Sequence, residues 1–222
     1  MKFNKKKHTY KKGKDEYISV TTFLKQFFKP FDERKVAKFL TFLDKRKGIK
    51  TGVRHYLKQW KADREHGTRV HELIQTSDES LIKEPRDFDK WKQAQKFIEK
   101  NITYSVEDEM LVAASDLKLA GTIDYLGMTG NGLHLVDWKT NKSINTTAYK
   151  NEKCKEPLQH LDDCNFQKYR LQLLLYSYIL ETYYGLNIAK VSIVHLKETE
   201  FVVYDIPKDY SDVMKIVAMR KV

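Results

Sequence analysis

Apolar positions recur at helical spacing through the first hundred residues, and the pattern then switches to short β-prone runs. Phe23, Leu24, Phe27 and Phe28 give the apolar face of a first short helix, which Ser19, Thr21 or Thr22 caps and Pro30 ends. Helices are predicted over 33–47 and 53–76, the second carrying Trp60, Val70, Leu73 and Ile74 at helical spacing and interrupted by Gly67. A further helix over 86–100 places Phe88, Trp91, Ala94 and Phe97 on one side. Residues 106–114, 117–127 and 133–139 read as three strands of a meander, with turn residues at 128–132. A polar stretch follows from 141 to 165, longer than ordinary connections. Then come an apolar helix over 167–184 closed by Gly185, strands over 189–196 and 200–205, and a last helix capped by Asp209 or Ser211 with Val213, Ile216 and Val217 on one face. The order predicts an α/β fold: a mixed central sheet with helices on its faces and a mainly helical N-terminal portion.

Charge sharpens this outline. The 222 residues carry a formal net charge of +11, which favours polyanionic partners, nucleic acid before an acidic membrane surface. The first fourteen residues hold seven lysines and no acid, and lack the apolar segment of a secretory signal. Residues 1–15 are therefore expected to be a flexible basic tail, and 16–222 one domain: a helical wall over 16–100 and a sheet core over 101–222. No apolar run is long enough to span a bilayer. Two cysteines, Cys154 and Cys164, make no disulfide framework and fit a reducing, intracellular compartment.

The chemistry concentrates in two adjacent strands. Asp124 follows Gly121, Thr122 and Ile123 inside an apolar run, and Asp137, Trp138 and Lys139 end the next. In a hairpin symmetric about Gly130 and Asn131, Asp124 falls directly opposite Asp137, and Lys139 points to the same side as Asp137. Opposed like charges repel, and unpaired buried carboxylates are costly. A cation between the two acids is thus favoured over a solvated surface ion pair. Two hard oxygen donors beside an ammonium suit Mg²⁺-assisted attack of water on a phosphodiester.

Other residues compete to complete the site. Glu109 reads equally as a ligand and as an exposed carboxylate at a strand start. His71 is not distinguished, on its own, from His55, His66 or His195, although the preceding Gly67 permits close approach of its helix to another backbone. Gln172 and Tyr176 share a face of the long helix at i,i+4, and an amide inside an apolar helix needs partners. It either bonds a backbone edge or orients the lysine or a phosphate.

In this order, His71, Glu109, the run 121–124, Asp137-Trp138-Lys139-Thr140 and the pair Gln172 and Tyr176 resemble the RecB-like branch of the PD-(D/E)XK nuclease superfamily. That branch includes the nuclease domains of bacterial recombination helicase–nucleases, CRISPR-associated adaptation nucleases, the mitochondrial genome maintenance exonuclease, and phage and large-virus members. The likeness spans about 19–196. It implies a restriction-endonuclease-like fold and a metal-dependent DNA exonuclease acting on single strands or DNA ends in replication, recombination or repair. It further implies Mg²⁺ or Mn²⁺ held by His71, Asp124, Asp137, the Trp138 backbone carbonyl and Glu109. Lys139 would activate water, Gln172 would hold Lys139 or the scissile strand, and Ser19, Thr21, Lys142, Gln172 and Tyr176 would contact DNA. A helicase or replication partner, in a host or virus-encoded setting, would supply unwinding. A structure-selective or nicking endonuclease of the same superfamily and a non-catalytic DNA-binding accessory subunit are the alternatives.

Overall fold

The computed structural model describes residues 2–4 and 9–220. Eight strands among them form one mixed sheet: β1 (Lys2–Asn4), β2 (Thr9–Lys12), β3 (Asp15–Ser19), β4 (Tyr104–Ala114), β5 (Leu119–Thr129), β6 (Gly132–Lys139), β7 (Ile188–Leu196) and β8 (Phe201–Asp205). The order is β1-β2-β3-β5-β6-β7-β8, with β4 on the other edge of β5. The β3–β5 and β6–β7 pairs are parallel and the rest antiparallel. The chain is thus α/β with a mixed sheet flanked by helices, as its periodicities predict.

The basic tail needs correction. Where described, it is strand: β2 pairs with both β1 and β3, and Tyr10 and Tyr17 are buried with Ala120 of β5. Lysine-rich sequence concealed a β-meander whose backbone pairs with itself and which buries one tyrosine from each of β2 and β3. Residues 1 and 5–8 of that segment lie outside the described residues.

Helices α1 (Val20–Leu24), α5 (Asn165–Tyr184) and α6 (Ser211–Ala218) share one core with the sheet, built on Phe23, Phe27, Leu119, Leu135, Leu174, Ile193 and Ile216. Apolar nearly all round, α5 is central, packed on the sheet and in contact with α1 and α6. Helices α3 (Val53–Thr76) and α4 (Pro85–Asn101) build a second core with Tyr125, Val136, Trp138 and Val194. The remaining helix, α2 (Glu33–Arg46), packs against α3.

Local signals explain the boundaries. Ser19 caps α1 by accepting from the Thr22 N–H at 3.0 Å, and Asp32 caps α2 by accepting from the Lys35 N–H at 2.9 Å. Gly185, at φ 65°, closes α5. Two expectations fail here. Phe88 of α4 is exposed while Asp87 and Lys90 are buried, because α4 turns polar groups towards α3 and the sheet exit. The last helix has Tyr210, not Asp209 or Ser211, at its N-cap, although Asp209 accepts from the Ser211 N–H. Among the described residues, no helix is long and apolar enough to cross a membrane.

Candidate metal centre

The site forms where β5 and β6 part. Their ladder runs from Thr129↔Gly132 to Tyr125↔Val136 and stops there. Continued by one step it would place Asp124 opposite Asp137, as the hairpin arithmetic predicts. Instead the Asp124 carboxylate accepts the Trp138 N–H at 3.0 Å, so a side chain replaces the next backbone bond. The ladder ends there, yet the Asp124 and Asp137 side chains stay within hydrogen-bonding reach of each other, so the expected pairing of the two acids holds without the backbone register.

His71 of α3, Glu109 of β4 and Asp124 of β5 each offer a ligand atom, all within 4.8 Å of one another. One nitrogen of His71 lies 3.6 Å from the Asp124 carboxylate and the other 3.1 Å from the Trp138 carbonyl oxygen. Either nitrogen thus sits beside an oxygen able to share a cation. Glu109 has φ 52°, in the left-handed region, in the middle of a strand. Register places it across from Asp124, between the pairs Asp108↔Tyr125 and Met110↔Ile123.

Asp137 lies between Asp124 and Lys139. Its carboxylate meets the Lys139 ammonium at 2.5 Å, and the Gln172 amide stands 3.5 Å away. Lys139 also lies over the Tyr169 ring at 4.6 Å. Period-2 alternation puts Asp137 and Lys139 on the α5 face, where Tyr169 and Gln172 are one helical turn apart.

The electrostatics are those of acids held close without enough countercharge. Burial raises the Asp137 carboxyl to about 6, with Lys139 opposing and Asp124 adding to the rise. Burial and the Asp124 charge raise Glu109 to about 7. Asp124 is raised too, by burial, against the pull of Lys139 and the Trp138 N–H. Burial and the Lys139 charge lower His71 to about 4, which keeps the imidazole neutral and its lone pair free. Burial works to depress Lys139, but Asp137 and Asp124 outweigh it and raise its pKa. Hard carboxylate oxygens, a carbonyl and one neutral imidazole fit Mg²⁺ or Mn²⁺ by donor type.

A cleft of about 1540 Å³ opens over this centre, with His71 and Glu109 in its lining. Gly67 carries α3 across its wall: a Cβ there would stand 2.9 Å from the Thr140 hydroxyl, so the close approach anticipated at this glycine is to a side chain. Lys142 also lines the cleft, in the polar stretch 141–165. Two nucleic-acid contacts expected from sequence are corrected. Tyr176 is 4% exposed and lies under Gly121, where a Cβ would come within 2.5 Å of its hydroxyl. Ser19 is buried and occupied with the α1 cap. Thr21 is exposed at the first turn of α1.

Sequence reading missed the groups that hold the strand exit. The Lys90 ammonium donates to the Thr140 carbonyl at 2.6 Å, and the His195 imidazole to the Asn141 carbonyl at 2.6 Å. The next two carbonyls after Lys139 are thereby clamped by buried donors from α4 and β7. Tyr169 was legible, since it precedes Gln172 by three residues on the same helix face. A second acid group, His66, Glu84 and Asp87, is also compact. Arg69 binds both of its carboxylates and Arg86 binds Glu84, so their charge is already met and the group staples α3 to α4.

No family model and no curated protein matches the chain. Among solved structures, one described as the crystal structure of SSO0001 aligns over 95% of this chain and 76% of its own, at 14% identity and a TM-score of 0.37.

Proposed function

We propose that the protein is a Mg²⁺- or Mn²⁺-dependent deoxyribonuclease of the PD-(D/E)XK type, an exonuclease acting on single-stranded DNA or DNA ends. The observation that carries this reading is the convergence of His71, Glu109 and Asp124 beside the Asp137–Lys139 pair, where the sheet opens under a cleft.

His71, Asp124, Glu109 and the Trp138 carbonyl would hold the cation, with Asp137 adjoining. When bound, a divalent ion offsets the charge that builds on the phosphoryl oxygens. The chain's own groups do the rest. Lys139 stays protonated beside Asp137 and donates hydrogen bonds to the attacking water or to a non-bridging phosphoryl oxygen. Glu109, a carboxylate at the edge of the cation site, would take the proton that the attacking water gives up. Water oxygen bonds to phosphorus, the bridging P–O bond breaks, and the leaving oxygen takes a proton from solvent. Gln172 and Tyr169 fix the Asp137–Lys139 pair from α5.

The test is incubation with end-labelled linear and with closed circular single-stranded DNA, in Mg²⁺, Mn²⁺ or chelator. Linear DNA should shorten only with metal, and the circle should stay whole. Lys139→Ala and Asp137→Asn should each lower cleavage by at least about a hundredfold while leaving DNA binding in place. Nicking of the circle would favour an endonuclease of the same type, and wild-type cleavage by either variant would overturn the site.

A further inference from the structure

We propose that the outer face of α2 is a docking surface for the unpaired bases of a single-stranded nucleic acid. It rests on the nuclease reading only for where the strand leads; the surface itself stands without it.

Lys35, Phe39, Phe42 and Arg46 recur at i, i+4, i+7 and i+11, so they form one stripe along the helix. Helix α2 already has an apolar face, with Ala37 fully buried, and that face is turned to α3. The Glu33–Arg64 ion pair and the Asp44–Tyr56 hydrogen bond fix this pairing. The stripe therefore points away from α3, and packing gives it no reason to be aromatic. Phe39 and Phe42 are 50% and 56% exposed, and the Arg46 guanidinium lies 5.9 Å over the Phe42 ring.

The residue types select the occupant. Two rings a helical turn apart, each followed outward by a cation, match bases on rings and phosphates on charges. No Leu, Ile, Val or Met lies on the stripe, as a protein or lipid partner would favour. Residues 31–62 hold ten Lys or Arg against three Asp or Glu. Every base has a π-face, so such a surface is tolerant of sequence but requires the bases to be unpaired.

The surface continues into the cleft. Phe31, two residues before α2, is exposed and stands edge-on to Trp60 with centroids 5.7 Å apart. Both line the cleft that holds His71 and Glu109. A strand leaving the carboxylates would pass this pair and run along α2, a path of about 21 Å for fourteen residues.

The test is binding of a fluorescein-labelled oligo-dT, its duplex with oligo-dA, and inorganic polyphosphate, all in chelator so that nothing is cut. Phe39→Ala with Phe42→Ala should weaken oligo-dT binding at least about fivefold per ring removed. The same double variant should leave duplex and polyphosphate binding unchanged, and Phe39→Tyr with Phe42→Tyr should restore oligo-dT. Lys35→Glu with Arg46→Glu should weaken all three. Equal binding of oligo-dT by wild type and the alanine double variant overturns the proposal. So does a wild-type dimer in size-exclusion chromatography that the alanines dissolve, or ring-dependent pelleting with phosphatidylserine vesicles. Ring-dependent binding without any metal-dependent cleavage would sink the nuclease reading and leave this surface standing; cleavage without ring dependence would do the reverse.

Discussion

Glu109 shows what the site costs at the scale of one residue. A non-glycine residue at φ 52° inside a strand is strained by on the order of 1–3 kcal/mol. The strain brings its carboxylate into reach of Asp124 and His71, and the raised proton affinity follows from burial and from Asp124. Glu109→Gly and Glu109→Ala both remove the carboxylate, but only glycine accepts the backbone freely. Chemical denaturation should therefore find the glycine variant about 1 kcal/mol more stable than the alanine variant. Equal stabilities would show that the conformation is not imposed on the residue. The pH dependence has a definite sign. A folded-state value of about 7 against an ordinary 4.5 means that the folded protein prefers Glu109 protonated. That contribution is complete below about pH 4.5 and is lost as pH rises through about 7. Asp137, raised to about 6, acts in the same direction. Without divalent cation, the melting temperature should fall between pH 5 and pH 8, less so in Glu109→Gln, and Mn²⁺ should recover it at pH 8. A slope unchanged in Glu109→Gln would assign the dependence elsewhere.

At the scale of elements, periodicity served where one face is buried along a whole segment. The 53–76 helix coincides with α3, and Val70, Leu73 and Ile74 are buried as their spacing requires. The 133–139 strand differs from β6 by one residue, and its alternation does set Asp137 and Lys139 towards α5. Pattern failed where long-range contacts decide. The β5–β6 ladder ends at Tyr125↔Val136 with Asp124 taking the Trp138 N–H, which hairpin symmetry does not contain. The packing of Tyr176 depends on a glycine 55 positions away. Gly121 is the contact point of β5 with α5: its missing side chain leaves room for the Tyr176 ring, whose atoms would lie 2.5–2.9 Å from an added Cβ. Gly121→Ala should cost about 1–3 kcal/mol by overpacking, and Gly121→Ala with Tyr176→Leu should cost less than the sum of the two single changes. Additive losses in urea titrations would mean that strand and helix adjust independently.

At the scale of the molecule, the centre is assembled from both halves of the chain. The sheet supplies Glu109, Asp124, Asp137 and Lys139, while the helical wall supplies His71 from α3 and Lys90 from α4. Lys90 is the more telling of the two wall residues because it touches no proposed ligand. It is buried, its pKa is lowered chiefly by that burial, and its ammonium donates to the carbonyl immediately after Lys139. A buried lysine kept on one carbonyl is a costly way to hold a loop, and it makes α4 answerable for where β6 ends. His195 holds the following carbonyl from β7, so the exit of β6 is gripped from the wall and from the sheet at once. Lys90→Met keeps the unbranched stem short of its terminal nitrogen and removes the donor, leaving the Thr140 carbonyl to find water. The loss should be about 1–3 kcal/mol of stability, with faster amide exchange confined to residues 140–145. If Lys139 is aimed by this grip, the catalytic rate constant should fall by about tenfold while the Michaelis constant changes little. Faster exchange with an unchanged rate constant would make the grip purely structural, and unchanged exchange would show that β6 ends where it does without help from the wall.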